Sequence, residues 1–321
     1  MGKYILGRIL NMIPTLLIVA VIIFLITRML PGNPAAVMLG PQASAEEIEV
    51  LTEKLGLNEP LYIQFFDYIG NLLQGNLGNS LTYNMPIIDL IMERFPNTVI
   101  LAVSALLIAI LVGVPAGIIA ARKQNSIFDY AFTTFSLMGV SMPIFWLGIM
   151  LVLFFSVNLG WFPATGMGSM DEGIGDFISH LILPSIALAT IPTAQFARIT
   201  RSSMLEVISQ DYVKTARSKG LHEFFVICKH AFKNALTPLL TVLGLQISSM
   251  LGGAVLTETI FSWPGIGLLI IDAIGKRDFV VVQNMVIFIA LIYVVVNLLV
   301  DISYKLVNPR IKYSSGKGGT K

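Results

Sequence analysis

The residue types that catalyse reactions occur in this chain, but not in the patterns that catalysis requires. His222 and Glu223 would open a zinc-binding H-E-x-x-H sequence, yet Val226 stands where the second histidine belongs. Neither the G-x-S-x-G sequence of serine hydrolases nor the phosphate-binding G-x-x-x-x-G-K-[ST] loop occurs in the 321 residues. The single cysteine, Cys228, allows no disulfide within the chain and no cysteine-based metal site. We therefore expect no enzyme, and no cofactor or metal bound to this chain.

Three uncharged polar residues, Gln195, Gln246 and Asn297, fall inside long apolar runs. In a membrane such groups bond to other helices or line a wet cavity, so both hydrogen bonding between helices and a place along a translocation pathway stay open. Glu258 and Asp301 fall only at the predicted ends of apolar runs, where they would reach water. Ion-coupled carriers usually place ionisable groups at mid-membrane, so this pattern counts against a stand-alone secondary transporter.

A basic segment between two apolar runs carries the strongest functional signal. A helix over about 203–220 would place Met204, Leu205, Ile208 and Tyr212 on one stripe and end at Gly220. Such a short helix with basic flanks and small residues suits docking into a groove on a cytoplasmic protein. The alternative is an amphipathic helix that lies on anionic lipid. The candidate contact residues are Tyr212, Lys214, Thr215, Ala216, Arg217, Lys219 and Gly220.

The elements that position these residues are predicted to be membrane helices. Hydrophobic residues make up 55% of the chain and charged residues only 12%, against about 25% charged in soluble proteins. A helix needs about 20 apolar residues to cross the hydrocarbon layer. Six runs without Asp, Glu, Lys, Arg or His reach or approach that length, which predicts an all-α membrane protein with six transmembrane helices. The runs are Ile9–Thr27, Thr98–Ala121, Phe132–Val157, Leu181–Ala197, Leu236–Thr257 and Val280–Val300.

The distribution of charge predicts the orientation. With the N-terminus in the cytoplasm, the cytoplasmic segments hold 16 of the 21 Lys and Arg residues and 5 of the 19 Asp and Glu residues. Lys and Arg in short loops favour the cytoplasmic side, so both termini are expected there. The net charge of +2 gives no reason to expect a nucleic-acid partner.

The segment between the first two apolar runs predicts a small helical cap on the outer surface. The segment Leu30–Pro34 cannot continue a helix, because proline removes a donor and restricts the residue before it. Ser44 and Glu47 have the spacing of a capping box at the start of an acidic helix. We divide the chain into the N-terminus with its first helix (1–29), the cap (30–96), a five-helix core (97–313) and a disordered tail (314–321).

The segment that ends at Gly220 resembles the coupling-helix motif of ATP-binding-cassette (ABC) importer permeases, E-A-A-x-x-x-G. With Gly220 aligned, Lys214, Thr215 and Ala216 stand in place of E-A-A. The stretch His230–Lys233 stands where that family has I-x-L-P. The spacing of small residues and glycine is kept, whereas the missing glutamate removes any salt bridge that it would make.

Longer blocks in the expected order are similar to the B-type permease subunits of dipeptide, oligopeptide, nickel and glutathione importers, and they run almost from end to end. They are Arg8-Ile-Leu with Pro14, Leu30-Pro-Gly-Asn-Pro34, Leu55-Gly-Leu-Asn-Glu-Pro-Leu-Tyr62, Gly75-Asn-Leu-Gly78 with Ser80, Glu258-Thr-Ile-Phe-Ser-Trp-Pro-Gly265, Arg277-Asp278, Val282-Gln283 and Asn308-Pro-Arg310.

This resemblance implies a type I ABC importer permease in the inner or plasma membrane of a bacterium or archaeon. The implied partners are a second homologous permease, two ATP-binding subunits that carry ATP and magnesium, an extracytoplasmic substrate-binding protein and membrane lipid. The seven candidate contact residues would then couple the permease to the ATPases. Short peptides are the expected substrate, with nickel or glutathione as the alternative within the family.

Overall fold

The computed structural model describes residues 2–29, 34–40, 42–54, 56–80 and 82–307, and they are mostly helical. The predicted features at 30–33 and 308–321, the tail included, lie outside the described residues. The helices are α1 Gly2–Met29, α2 Pro34–Leu39, α3 Ala45–Lys54, α4 Leu61–Leu73, α5 Ile87–Arg122, α6 Ile127–Ser141, α7 Ile144–Leu151 continued by a π-helix Val152–Asn158, α8 Ile174–Ile208, α9 Asp211–Ser218, α10 Glu223–Phe225 continued by a π-helix Val226–Ala231, α11 Phe232–Ile260, α12 Ile266–Gly275 and α13 Phe279–Val307. Two short antiparallel strands, β1 Asn79–Ser80 and β2 Met85–Pro86, pair with Asn79 opposite Pro86.

Six membrane spans fit these helices, as the sequence predicts. In the described part of the chain, four helices are individually long and apolar enough to cross a bilayer: Leu6–Met29, Ile87–Arg122, Ile174–Ile208 and Phe279–Ile302. Two bent pairs supply the third and fifth spans when each pair counts as one: Ile127–Ser141 with Ile144–Asn158, and Glu223–Met250 with Gly252–Ile260. The predicted all-α membrane fold is confirmed.

The third span is not the single straight helix that its apolar run suggests. Its two halves meet at an angle of 106°. The break falls at Met142, whose backbone is extended (φ −82°, ψ 130°), directly before Pro143. A residue before proline is disfavoured in the helical region, because the proline ring clashes with its backbone. The bend therefore follows from one local feature that hydropathy does not report.

The centre of the bundle is the contact between α5 and α8. Gly113 and Gly117 lie against α8, where a Cβ on Gly113 would overlap Thr193 and Phe196 and one on Gly117 would overlap Ala197 and Thr200. Small residues allow two membrane helices to approach closely and pack by van der Waals contact. The main buried core continues from this contact through α5, α8 and α11.

The cap is held to the first span by aromatic packing. Phe24 of α1 lies 5.3 Å from the Phe65 ring and 6.1 Å from the Tyr68 ring of α4, centroid to centroid. Burial raises the pKa of the Tyr68 phenol to about 12.

At the start of α3, Ser44 and Glu47 form the reciprocal hydrogen bonds of a capping box, with distances of 2.8 and 3.2 Å. The capping box that the sequence predicts is thus present at the start of α3.

Candidate functional site

The predicted helix over 203–220 is two helices in the structure. Residues up to Ile208 belong to α8, which comes directly from the membrane, and α9 begins separately at Asp211. Gln210 between them has an extended backbone (φ −71°, ψ 149°) that ends one helix and starts the next. Gly220 follows α9 with φ +73°, the left-handed conformation that glycine adopts without strain.

The inner face of α9 is anchored in the bundle. Val213 is fully buried and Ala216 is 8% exposed, and both belong to a cluster with Met204 of α8, Ala121 of α5 and Val226. Ala216, one of the seven predicted coupling residues, turns its side chain into this cluster and away from the exposed surface, and its part in coupling stays a prediction. The same packing puts α9 in direct contact with α8.

The outer face of α9 and the turn after it form an exposed surface, which we call the docking face. It combines basic and apolar side chains, and its aromatic members Phe224 and Phe225 are 60% and 58% exposed. Sequence reasoning missed these two, although adjacent aromatics in a predicted loop are a usable signal. The docking face consists of Tyr212, Lys214, Thr215, Arg217, Lys219, Leu221, Phe224 and Phe225, all exposed.

Hydrogen bonds fix several side chains of the docking face in place. The Arg217 guanidinium donates to both carboxylate oxygens of Glu223 at 2.8 and 3.2 Å, which holds the turn after α9 against the helix and raises the pKa of Arg217. The Lys214 ammonium donates to Asp211 at 2.9 Å, and this bond lowers the pKa of that carboxyl. Asn234 donates to the Tyr212 hydroxyl at 2.6 Å. Three side chains of the docking face, Tyr212, Lys214 and Arg217, are thus bonded within the chain itself.

At the other end of the bundle, Glu258 is fully buried. The expectation that it reaches water is wrong, because the chain turns back after α11 and covers it with α12. One carboxylate oxygen accepts a hydrogen bond from the Thr98 hydroxyl at 2.7 Å. The other accepts from the backbone N–H groups of Gly267 and Leu268 at 2.7 and 3.2 Å. A carboxylate at this place stabilises the free N–H groups at the start of α12.

Neighbouring bonds complete what we call the outer latch, made of Asn97, Thr98, Glu258, Trp263 and the start of α12. The Trp263 indole N–H donates to the Asn97 carbonyl at 2.9 Å, and the Asn97 amide donates to the Pro264 carbonyl at 2.8 Å. The Ile266 N–H donates to the Thr98 hydroxyl at 2.9 Å. The latch joins α5, α11 and α12 at one buried point.

Two protein-family models together match most of the chain. Residues 113–313 match the model of the family described as binding-protein-dependent transport system inner membrane component. Residues 1–102 match the N-terminal model of such membrane components. The chain belongs to this family of transport permeases. The permease is thus a multi-pass inner-membrane protein, and membership decides against an enzyme and against a stand-alone secondary carrier.

Curated relatives cover the permease almost completely. It is 48% identical to a dipeptide transport system permease protein of Alkalihalophilus pseudofirmus, over 98% of this chain and 100% of the relative. It is 47% identical to a di/tripeptide transport system permease protein of Pseudomonas aeruginosa, over 98% and 99%. It is 42% identical to a glutathione transport system permease protein of Escherichia coli, over 98% and 100%.

The fold has a solved counterpart. The permease matches a structure of the MetNI methionine ABC transporter in an inward-facing conformation with a TM-score of 0.56. The match covers 69% of the permease and 97% of that chain at 14% identity. At this identity the likeness is one of fold, which supports the predicted type I importer architecture.

The three polar residues inside the spans are paired in the permease. Gln246, 5% exposed, donates to Gln195 at 2.6 Å and so joins α11 to α8. Ser248 donates to Asn297 at 2.9 Å and joins α11 to α13. In the structure the three residues therefore make hydrogen bonds between helices, at two separate contacts. A place along the pathway stays a prediction.

A buried ion pair joins α6 to α8. The Arg201 guanidinium donates to the two carboxylate oxygens of Asp129 at 2.5 and 2.8 Å, and the Asp129 side chain is only 3% exposed. Two-pronged Arg–carboxylate bonds are among the stronger side-chain contacts and fix orientation.

Among the residues that the structure describes, no group of three His, Cys, Asp or Glu side chains could hold a metal ion.

Proposed function

We propose that the permease forms half of the membrane pathway of an ABC importer and that its docking face binds a cytoplasmic ATPase subunit. The observation that carries this proposal is the two-sided packing of α9. Its inner face packs on the bundle through Val213 and Ala216, and its outer face is exposed and partly aromatic. Exposed aromatic and arginine side chains are the types enriched at energetic centres of protein interfaces.

In this proposal the coupling is mechanical. ATP and magnesium bind in two partner ATPase subunits, whose closure displaces α9. Because Val213 packs on Met204, the displacement reaches α8, a 35-residue helix that continues through the membrane and packs on α5. A rigid-body shift of this kind alternates access to a cavity shared with a second, homologous permease.

We place both termini of the permease in the cytoplasm. The positive-inside distribution of Lys and Arg supports this orientation. The ion pair between Arg8, near the start of α1, and Asp301, near the end of α13, with a distance of 3.1 Å, supports the narrower point that both termini lie on one side of the membrane. The pair joins the start of α1 to the end of α13, so these two helices lie side by side with their chain-terminal ends together.

We propose short peptides as the substrate. Two relatives of nearly half-identical sequence are named for dipeptide and di/tripeptide transport. Glutathione is the second candidate, because a relative of 42% identity is named for its transport. These relatives favour peptides and glutathione over nickel.

The cap is our candidate for contact with an extracytoplasmic substrate-binding protein. Its helix α3 exposes the acidic side chains Glu46, Glu47, Glu49 and Glu53. The alternative is that this acidity only mirrors the positive-inside rule. Replacing all four by glutamine tests the contact: unchanged association with the binding protein would remove the idea.

The experiment for substrate is uptake of labelled di-, tri- and pentapeptides by an auxotroph that lacks other peptide transporters. Uptake is compared with and without this chain and its partner subunits, with labelled glutathione in parallel. Uptake that depends on the chain and on ATP, and that prefers di- or tripeptides, is the expected result. Entry of glutathione alone would replace the peptide assignment. Assembly of the complex without any uptake would contradict both.

A further inference from the structure

A pocket of about 180 Å³ lies between α5, α6 and α8. One end lies beside Arg201 and Ser202, at the level where α8 leaves its apolar run. Deeper along the bundle the wall becomes apolar, with Leu137 and Val140 from α6 and Ala194 from α8. The pocket is therefore amphipathic along its length: one end is charged, and the other is uncharged and mostly apolar, with Ser141 as its one hydroxyl.

The pocket holds an uncompensated positive charge. Arg201 is neutralised by its bidentate bond to Asp129. Arg198, one turn earlier on α8, also lines the pocket, and no hydrogen bond or ion pair of its side chain is found in the described part of the chain. The hydroxyls of Ser136 and Ser202 also line the pocket and add donors. An anion would meet one free guanidinium and several hydroxyl groups here.

We propose that this pocket binds an anionic phospholipid of the cytoplasmic leaflet. Arg198 would hold the phosphate, because a guanidinium presents a planar fork of donors that matches phosphate oxygens. The acyl chain would continue along Leu137 and Val140, which are 59% and 44% exposed on the surface of α6. Basic pockets between membrane helices on the cytoplasmic side are suited to acidic lipid headgroups.

The apolar wall favours a lipid over a water-soluble anion. Beyond Ser136 the α6 side of the lining consists of Leu137, Val140 and Ser141, and none of these side chains carries a charge that could pair with a second charge on the ligand. A peptide carries a charged amino group as well as a carboxylate, and that group would lie unpaired against this wall. A lipid phosphate with one chain leaves no such group. The bound lipid would join α6 to α8, the helix that leads to the docking face.

The proposal rests on the proposed orientation, which puts Arg198 at the cytoplasmic surface. It is tested on the assembled transporter in detergent without substrate, by native mass spectrometry during titration with phosphatidylglycerol or phosphatidylcholine. Arg198→Gln removes the charge, and Ser136→Phe fills the pocket but keeps the charge. Lys123→Gln is the matched control, because Lys123 is an exposed cation on the same side that does not line the pocket.

We expect one phosphatidylglycerol per permease to bind more tightly than phosphatidylcholine. Arg198→Gln should weaken it about fivefold, the factor that corresponds to about 1 kcal/mol per basic side chain at a lipid surface. Ser136→Phe should also lose the lipid, and Lys123→Gln should not. Unchanged binding in Arg198→Gln, equal weakening in Lys123→Gln, or displacement of the lipid by a tripeptide would each overturn the proposal.

Failure of the proposed function would be visible separately. The titration contains no substrate, so absence of peptide uptake would leave its result unaffected. The orientation is measured independently by labelling the exposed Cys228 with a membrane-impermeant thiol reagent. Labelling from outside intact cells would refute the orientation, and with it the assignment to the cytoplasmic leaflet, whatever the lipid titration gives.

Discussion

Replacing Glu258 by alanine removes the acceptor of three hydrogen bonds at the point where α11 turns back into α12. The Thr98 hydroxyl keeps a partner, because it still accepts from the Ile266 N–H. The N–H groups of Gly267 and Leu268 lose theirs. A donor left buried without a partner costs about 1–3 kcal/mol, so the attachment of α12 should weaken by about 2–6 kcal/mol.

Even the lower bound is measurable. About 2 kcal/mol corresponds to a roughly 30-fold rise in the population in which the start of α12 is released. Glu258→Gln should cost less, because its amide oxygen can still accept from both backbone N–H groups while its NH₂ group faces the Thr98 oxygen. We therefore expect the population with the start of α12 released to be smallest in wild type, larger in Glu258→Gln and largest in Glu258→Ala.

Hydrogen exchange of the peptide covering residues 258–275, followed by mass spectrometry on the assembled transporter in nanodiscs, measures this release. Asp272→Ala is the matched control, since Asp272 is an exposed acid on the same helix. The expected result is the fastest exchange at Gly267 and Leu268 in Glu258→Ala, a smaller increase in Glu258→Gln and no increase in Asp272→Ala. Exchange equal to that of wild type in Glu258→Ala would refute the assignment of Glu258 as the residue that anchors α12.

Three further perturbations follow from the structure. Asp129→Asn weakens the two-pronged bond to Arg201, and hydrogen bonds to charged groups contribute about 1.5–3 kcal/mol, so a lower thermal midpoint of the complex is expected; an unchanged midpoint would contradict a stabilising role. Gly220→Pro cannot adopt φ +73°, because proline fixes φ near −65°. Peptide uptake should be lost at normal abundance, whereas Ser218→Ala, an exposed position of α9 outside the docking face, should keep uptake; equal uptake in both would count against the coupling role of α9. The hydrogen bond from the Ser44 backbone N–H, with a further bond from the Ser44 hydroxyl, lowers the pKa of Glu47 below its ordinary 4.5. The capping box should therefore stabilise α3 fully above pH 4.5, and this stabilisation should be lost as the pH falls through the lowered pKa. A Glu47 carboxyl that titrates by NMR at or above 4.5 would disprove the bond.

The spans were predictable from sequence because the physics that selects them is local. A run without charged residues, such as Thr98–Ala121, is stable in lipid whatever its neighbours are. The bend in the third span depended on Pro143, which is also a local signal, although hydropathy does not weigh it. The capping box of Ser44 and Glu47 was readable for the same reason.

Features that depend on the return path of the chain were not predictable in this way. Glu258 looked like a residue at a span end, and only the fold of α12 over it makes it buried. The pairing of Gln246 with Gln195 joins residues 51 positions apart, and nothing in either neighbourhood specifies it. The break at Gln210 is an intermediate case between the predictable and the unpredictable features. The sequence of the basic segment allows one helix or two, and only the packing of Val213 in a cluster with Met204 decides between them.

The measurement that tests the central claim most directly is site-specific photo-crosslinking within the assembled transporter. A photoreactive amino acid is placed at Phe224 on the docking face and, as control, at Met170, an exposed residue in the predicted outer segment before α8. A crosslink from position 224 to an ATPase subunit, and none from position 170, is the result we predict. A position 224 that crosslinks only to lipid, while the ATPases remain in the complex, would contradict the account.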